Sequence, residues 1–225
     1  MEYNKVFKIA AFDLDGTLLD SADDLIYSLN ILLKEKNQPL MKKSNVYRLV
    51  GNGALAMIKE AYRLNNNKED IDWSFLQKRF LEIYKTQFLN KSTLYPYTED
   101  TLQNLKENKI NMIIVSNKPS YFVKKILEHF KISKYFDAVS GGDTFKLRKP
   151  DPKHLFSTIE LAGIKKYKCC FIGDSINDAL CAEKANVKLI LLRHGYSFHN
   201  LNKLKADYVL SNLKNVSSKI CKLLL

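Results

Sequence analysis

Residues 9–17 read Ile9-Ala10-Ala11-Phe12-Asp13-Leu14-Asp15-Gly16-Thr17. The run from Ile9 to Phe12 is short, apolar and stopped by turn-forming residues, the pattern of a buried strand. Aspartate is a poor strand former and is costly to bury without a partner. Two of them at the C-terminal end of a strand therefore need a reason, and in open α/β sheets that end is where ligands bind. A carboxylate pair there can hold a divalent cation, and one carboxylate can act as a nucleophile. A lone strand-end aspartate is often only a turn or a cap. The pattern D-x-D-G-T fixes four residue types, however, and a chance match in a chain this long is on the order of one in a thousand.

Outward from this stretch the pattern changes to helix and stays so through residue 92. Ser21 is positioned to cap a helix with Leu25, Leu29, Leu32 and Leu33 on one face. Pro39 interrupts, a helix follows near Ser44 to Leu49, and Gly51-Asn52-Gly53 makes a turn. A further helix carries Leu55, Ile58 and Tyr62, and Asn65-Asn66-Asn67 forms a loop. A long helix from about Asp70 to Phe88 carries Trp73, Leu76, Phe80, Ile83 and Tyr84 at helical spacing, which reads as a packing stripe. From Pro96 onward strands and helices alternate. The strands are expected at Asn111–Val115, Phe136–Val139, Cys169–Ile172, Val187–Leu192 and Tyr208–Leu210. The helices are expected at Thr98–Glu107, Pro119–Phe130, Pro152–Ala162, Ser175–Ala185 and Asn212–Leu223, with Thr98, Thr101 and Ser211 as caps and Pro119 and Pro152 in first turns. Such alternation specifies a parallel sheet covered on both faces. The expected architecture is α/β: a three-layer Rossmann-like core of residues 1–18 and 93–225, with an all-α segment, 19–92, inserted just after the aspartate pair.

A chain of 225 residues with 46% hydrophobic and 27% charged residues can bury a sizeable core. No secretory leader pattern is present and the apolar runs are too short to span a bilayer, so a cytoplasmic location without membrane association is expected. Cys169, Cys170, Cys181 and Cys221 match no zinc spacing and read as free thiols, Cys169 and Cys170 pointing to opposite faces of a strand. The net charge of +12 raises nucleic acid as a partner. It rests almost wholly on scattered lysines, with Arg48, Arg63, Arg79, Arg148 and Arg193 the only arginines, and no nucleic-acid-binding motif accompanies it. What remains is a general attraction for anionic substrates.

Three later segments bring polar groups to the same sheet edge as Asp13 and Asp15. Ser116-Asn117-Lys118 ends one strand before a helix start, where hydroxyl and amide donors suit a phosphate, although an ordinary cap reads the same way. Lys149 lies in Arg148-Lys149-Pro150-Asp151-Pro152, a loop stiffened by prolines, although a surface charge reads the same way. Gly173-Asp174-Ser175-Ile176-Asn177-Asp178 presents Asp174 and Asp178 either to a hard cation or as an N-cap. With Asp13 and Asp15 the set contains a nucleophile candidate, an acid/base candidate, a hydroxyl donor, a cation and two metal-binding acids, the parts required for phosphoryl transfer through an aspartyl-phosphate.

With these residues in order the chain resembles the haloacid-dehalogenase-like hydrolase superfamily: Asp13-x-Asp15-Gly-Thr, Ser116-Asn-Lys, Lys149-Pro-x-Pro and Gly-Asp174-Ser-x-x-Asp178 match its four motifs. The second aspartate points to a phosphatase, and the inserted helices look like that superfamily's cap. Asp20-Ser21-Ala22-x-Asp24-Leu25, Val50-Gly51-Asn52-Gly53-Ala54, Gly141-Gly142-Asp143-Thr144 and His194-Gly195-Tyr196 are similar to the bacterial phosphoglycolate phosphatase family. The resemblance implies Mg²⁺ held by Asp13, the Asp15 carbonyl, Asp174 and Asp178 as ligand or support. It implies Asp13 as nucleophile, Asp15 as acid then base, and Ser116 and Lys149 on the phosphoryl oxygens. Thr17 and Asn117 are further substrate contacts, and Arg48 and Asn52 are the expected cap contacts. The partner is a small phosphate ester, in a monomer or weak homodimer. Sugar phosphates, nucleotides, pyrophosphate, a phosphomutase reaction and a non-enzymatic anion binder are the rivals to 2-phosphoglycolate hydrolysis.

Overall fold

The computed structural model describes residues 6–66, 71–197 and 199–225. Asn67 of the expected loop and Asp70, the expected start of the long helix, lie outside the described residues. The first strand, β1 (Phe7–Phe12), runs into Asp13, and the two-residue β2 (Leu19–Asp20) follows the turn. Then come helices α1 (Ala22–Glu35), α2 (Val46–Leu49), α3 (Ala54–Leu64) and α4 (Trp73–Gln87). The chain returns through β3 (Thr93–Leu94), which pairs antiparallel with β2, so the two crossings of the helical insert lie side by side. Thereafter α5 (Thr98–Glu107), β4 (Asn111–Val115), α6 (Ser120–His129), β5 (Ala138–Ser140), α7 (Pro152–Leu161), β6 (Tyr167–Gly173), α8 (Ile176–Ala185), β7 (Lys188–Leu192), β8 (Tyr208–Leu210) and α9 (Val216–Leu223) complete the chain.

The main sheet has the order β5-β4-β1-β6-β7-β8, every pairing parallel. Its strands are near-continuous apolar runs because both faces are covered. Successive side chains alternate between two apolar clusters. Ala10, Phe12, Met112, Ile114, Cys170 and Ile172 face α5, α6 and α9 through Leu102, Leu105, Phe122, Val123, Val216 and Ile220. Ile9, Ala11, Ile113, Val115 and Phe171 face α7 and α8 through Leu155, Ile159 and Ala182. This is the expected three-layer α/β architecture. The first cluster extends into the insert through Leu29, Leu32 and Leu33 of α1 and Phe80 of α4, all but fully buried, each stabilising by ~1.5–3 kcal/mol. Cys169, Cys170 and Cys181 are buried free thiols and Cys221 is a half-buried one.

The elements fall where periodicity puts them, but the four expected caps do not. Ser21 makes no capping bond to α1; its Oγ donates to Asp15 Oδ1 at 2.6 Å. The first N–H groups of α1, from Ser21 and Ala22, donate instead to the Tyr196 hydroxyl at 2.7 and 3.1 Å. The Thr98 hydroxyl donates to the Leu18 carbonyl and that of Thr101 to the Leu213 carbonyl, tying α5 to its neighbours and leaving Tyr97 at the helix start without a side-chain cap. At the C-terminal helix Ser211 is not the cap: Asn212 accepts from Lys214 N–H to form a short 3₁₀ turn, and α9 begins after it. At α1 and α5 a partner outside the helix outbids the local cap, and at the C-terminal helix the adjacent Asn212 takes the role. The strand expected from Phe136 begins at Ala138 because the Asp137 carboxylate takes the Met112 N–H and caps the pairing there.

Candidate active site

The parallel topology brings the polar groups together. Asp13 follows the central strand β1, and the strands on either side of it, β4 and β6, end at Ser116 and Asp174. Lys149 arrives from the loop after β5, and His194 to Tyr196 from the loop after β7. Asp13, Asp174 and Asp178 are all buried and offer carboxylate oxygens within 4.8 Å of one another. Burial raises the Asp13 carboxyl to about 6, against the opposing pull of Lys149, and Asp178 pushes it in the same direction as burial. Burial, then Asp178 and Asp13, likewise raise Asp174.

Lys149 is buried among them, its Nζ 2.9 Å from Asp13 Oδ1 and 2.7 Å from Asp178 Oδ1. Burial alone would lower its pKa, but the two carboxylates outweigh it and raise it, so it stays an ammonium. The loop that carries it is braced by His154, whose Nδ1 accepts the Lys149 N–H at 3.2 Å and whose Nε2 lies 3.0 Å from Ser140 Oγ. Asp178 has both oxygens committed: Oδ1 to Lys149, and Oδ2 to the Asp174 and Ser175 N–H groups and the Ser175 hydroxyl. It is thus the first-turn acceptor of α8 and the anchor of Lys149 at once. Thr17 Oγ1 donates to Asp174 Oδ1 at 3.2 Å, and Tyr196 N–H to Asp174 Oδ2. A Cβ on Gly16 or Gly195 would collide with the Asp174 carboxylate, so both positions stay bare around it.

This donor set fits a divalent cation. Asp13, Asp174 and Asp178 share one buried cation, Lys149, leaving an excess of buried negative charge. Among the described residues Asp13 Oδ1 has no well-directed hydrogen bond beyond its ion pair with Lys149. Hard oxygen donors of this kind suit Mg²⁺ or Ca²⁺.

Asp15 lives in different company. Its carboxylate is not part of the acidic cluster and is gripped by Lys118, with Nζ 3.0 Å from both oxygens. Ser116 is buried, and its Oγ accepts the Lys118 N–H at 3.3 Å. Asn117 Nδ2 donates to the carbonyls of Gly51 and Lys149, while its Oδ1 has no hydrogen-bond partner among the described residues. Asn177 Nδ2 donates to Gly51 and to Asn52 Oδ1, so the Gly51-Asn52-Gly53 turn is docked on the sheet edge. Beneath it a cavity of about 40 Å³ has Asp13, Asp15, Ser116, Asn117 and Lys118 as its polar floor. Its roof is apolar, from Leu25, Leu49, Val50, Met57, Phe80 and Tyr84. Arg48 and Asn52 do not line this cavity; they line a separate groove with Glu60, Arg63 and Asn177.

Sequence reasoning missed three contributors. Lys118 stood in the Ser116-Asn117-Lys118 stretch but was given no role, and its position directly after two site residues was the available signal. Tyr84 read as packing, and Tyr196 had only its place in His194-Gly195-Tyr196; their partners lie 34 and 176 residues away.

A family profile described as haloacid dehalogenase-like hydrolase matches residues 10–192. A phosphoglycolate phosphatase of Agrobacterium fabrum is 36% identical over 205 residues, 91% of this chain and 88% of that protein. One from Photorhabdus laumondii is 34% identical over 218 residues, 96% of this chain and 93% of the other. Among solved structures, that of a predicted phosphoglycolate phosphatase from Haemophilus somnus superposes with a TM-score of 0.87 at 30% identity, covering 95% of this chain and 97% of its own.

Proposed function

This chain belongs to the haloacid dehalogenase-like hydrolase family and is a phosphatase acting on phosphate monoesters; within that family we propose that it hydrolyses 2-phosphoglycolate to glycolate and phosphate through a phosphorylated Asp13. The observation that carries the chemistry is the contrast between two aspartates two positions apart. Asp13 sits among buried acids with Lys149, and Asp15 sits apart on Lys118. Carboxylates in such different surroundings take different roles.

In the first half-reaction an Asp13 oxygen attacks phosphorus, forming the aspartyl-phosphate bond as the bond to the ester oxygen breaks. Asp15, protonated, gives its proton to that departing oxygen. In the second half Asp15 takes a proton from water, whose oxygen attacks phosphorus and releases phosphate, regenerating Asp13. The Lys149 ammonium and the Ser116 hydroxyl bind the phosphoryl oxygens and offset their growing charge. Asp13, Asp174 and the main-chain carbonyl of Asp15 would hold Mg²⁺, with Asp178 as support, and such an ion when bound shields the attacking carboxylate from the phosphate's charge. Thr17 orients Asp174, and Asn117 fastens the Lys149 loop to the Gly51 turn.

We take residues 19–92 as the cap and 1–18 with 93–225 as the core, the cap parting from the core to admit substrate and closing to exclude water. The small cavity under an apolar roof favours a short leaving group, and the names of the curated relatives favour glycolate. Phosphate release from a panel of esters with Mg²⁺, and with the metal chelated, tests this. The highest kcat/KM is expected for 2-phosphoglycolate, with release lost on chelation. A sugar phosphate or nucleotide preferred by about tenfold, ~1.4 kcal/mol, would overturn the substrate. Isomerised sugar phosphate without free phosphate would make the chain a mutase.

A further inference from the structure

Lys118 and Tyr84 form a buried link from the helical insert to the Asp15 carboxylate. Tyr84, on α4, is packed by Phe80, Phe88 and Phe122, with ring centroids 5.7, 5.9 and 4.8 Å away. Its hydroxyl lies 2.7 Å from Lys118 Nζ, and Lys118 Nζ lies 3.0 Å from each Asp15 oxygen. The Lys118 side chain is 3% exposed and that of Asp15 12%. On its other flank Asp15 Oδ1 accepts the Ser21 hydroxyl at 2.6 Å. Ser21 opens the insert and Tyr84 lies near its end, so Asp15 is held from both ends of the segment.

We propose that Lys118 and Tyr84 are positioning residues that aim Asp15 at the leaving group when α4 is seated on the sheet edge, so that closure of the insert and proton donation are one event. The proposal rests on the phosphatase reading above and adds a coupling to it. An ammonium has three donors. Those of Lys118 are taken by two Asp15 oxygens and the Tyr84 hydroxyl, so none is left to bind substrate directly. When α4 lifts away, Tyr84 leaves with it, one donor of Lys118 is freed to water, and the grip on Asp15 slackens. A 1 Å misplacement of a reacting group is enough to cost about 100-fold in rate.

The test compares kcat/KM on an alkyl phosphate, whose leaving oxygen needs a proton, with that on p-nitrophenyl phosphate, whose leaving group departs without one. Lys118→Met is expected to lower the alkyl value by on the order of 10- to 100-fold while the aryl value falls far less. Tyr84→Phe keeps the ring packing and the ion pair, and is expected to shift the same ratio in the same direction by a smaller factor. It decides the matter if Lys118→Met fails to fold. Equal losses on both esters, or an unchanged ratio in Tyr84→Phe, would overturn the coupling. A rise in KM confined to carboxylate-bearing esters would make Lys118 a substrate anchor and overturn it too. Wild type that hydrolyses neither ester with Mg²⁺ would overturn the phosphatase reading itself.

Discussion

Lys149 stands where three buried carboxylates need a cation, and its place depends on a neutral histidine. Burial, and then the Lys149 charge, depress the His154 pKa from its ordinary 6.5 to about 4. With Nδ1 accepting the Lys149 N–H, the ring proton is on Nε2, facing Ser140. The folded protein keeps His154 neutral down to about pH 4, whereas the unfolded chain protonates it near 6.5. Between those values the unfolded state binds the extra proton, so stability falls as pH is lowered through that window and this contribution is complete above it. The contribution is on the order of 3 kcal/mol. Urea unfolding across pH 4–7 is expected to show a shallower pH slope for His154→Gln than for wild type, and an identical slope would refute the assignment. At this scale the sequence was legible for position, because strand ends can be read from it: Asp13, Ser116 and Asp174 lie directly after β1, β4 and β6 as expected. It was not legible for Lys118, Tyr84 and Tyr196, whose roles are set by partners 103, 34 and 176 residues away.

Among the elements, the strands and helices follow hydrophobic period closely, because a doubly covered parallel sheet demands apolar runs and its helices demand apolar stripes. Caps follow it poorly. Ser21, Thr98, Thr101 and Ser211 all have the right chemistry, yet each capping role passed to a neighbour or was left unfilled. The start of α1 is the instructive case. Tyr196 accepts two of its N–H groups, donates to Asp20 Oδ1 at 2.6 Å, and through its own N–H holds Asp174. One residue after β7 therefore joins the entry to the helical insert to a carboxylate of the acidic cluster. Tyr196→Phe removes that acceptor while keeping the ring, and a loss of ~1–2 kcal/mol is expected in chemical denaturation. A variant as stable as wild type would show that the hydroxyl is not the cap.

For the whole molecule, the insert and the sheet edge meet around one cavity. The Gly51 turn docks through Asn117 and Asn177, and α4 docks through Tyr84 and Lys118. The architecture was readable from the alternation of periods, and the acidic cluster from where parallel strands end. How the insert sits was not readable, because docking rests on backbone carbonyls and single side chains that carry no periodic signal. Arg48 and Asn52 illustrate this: they lie on the insert as expected but line the groove on the far side of the Gly51 turn. In the proposed reaction all of this machinery serves a phosphoryl group carried on Asp13. Rapid acid quench of the Mg²⁺-loaded protein during ester turnover, followed by peptide mapping, tests it most directly. A hydroxylamine-labile phosphoryl group on Asp13, lost together with phosphate release in Asp13→Asn, is the predicted result. Turnover that persists in Asp13→Asn, or a phosphoryl group found on Asp15 instead, would contradict it.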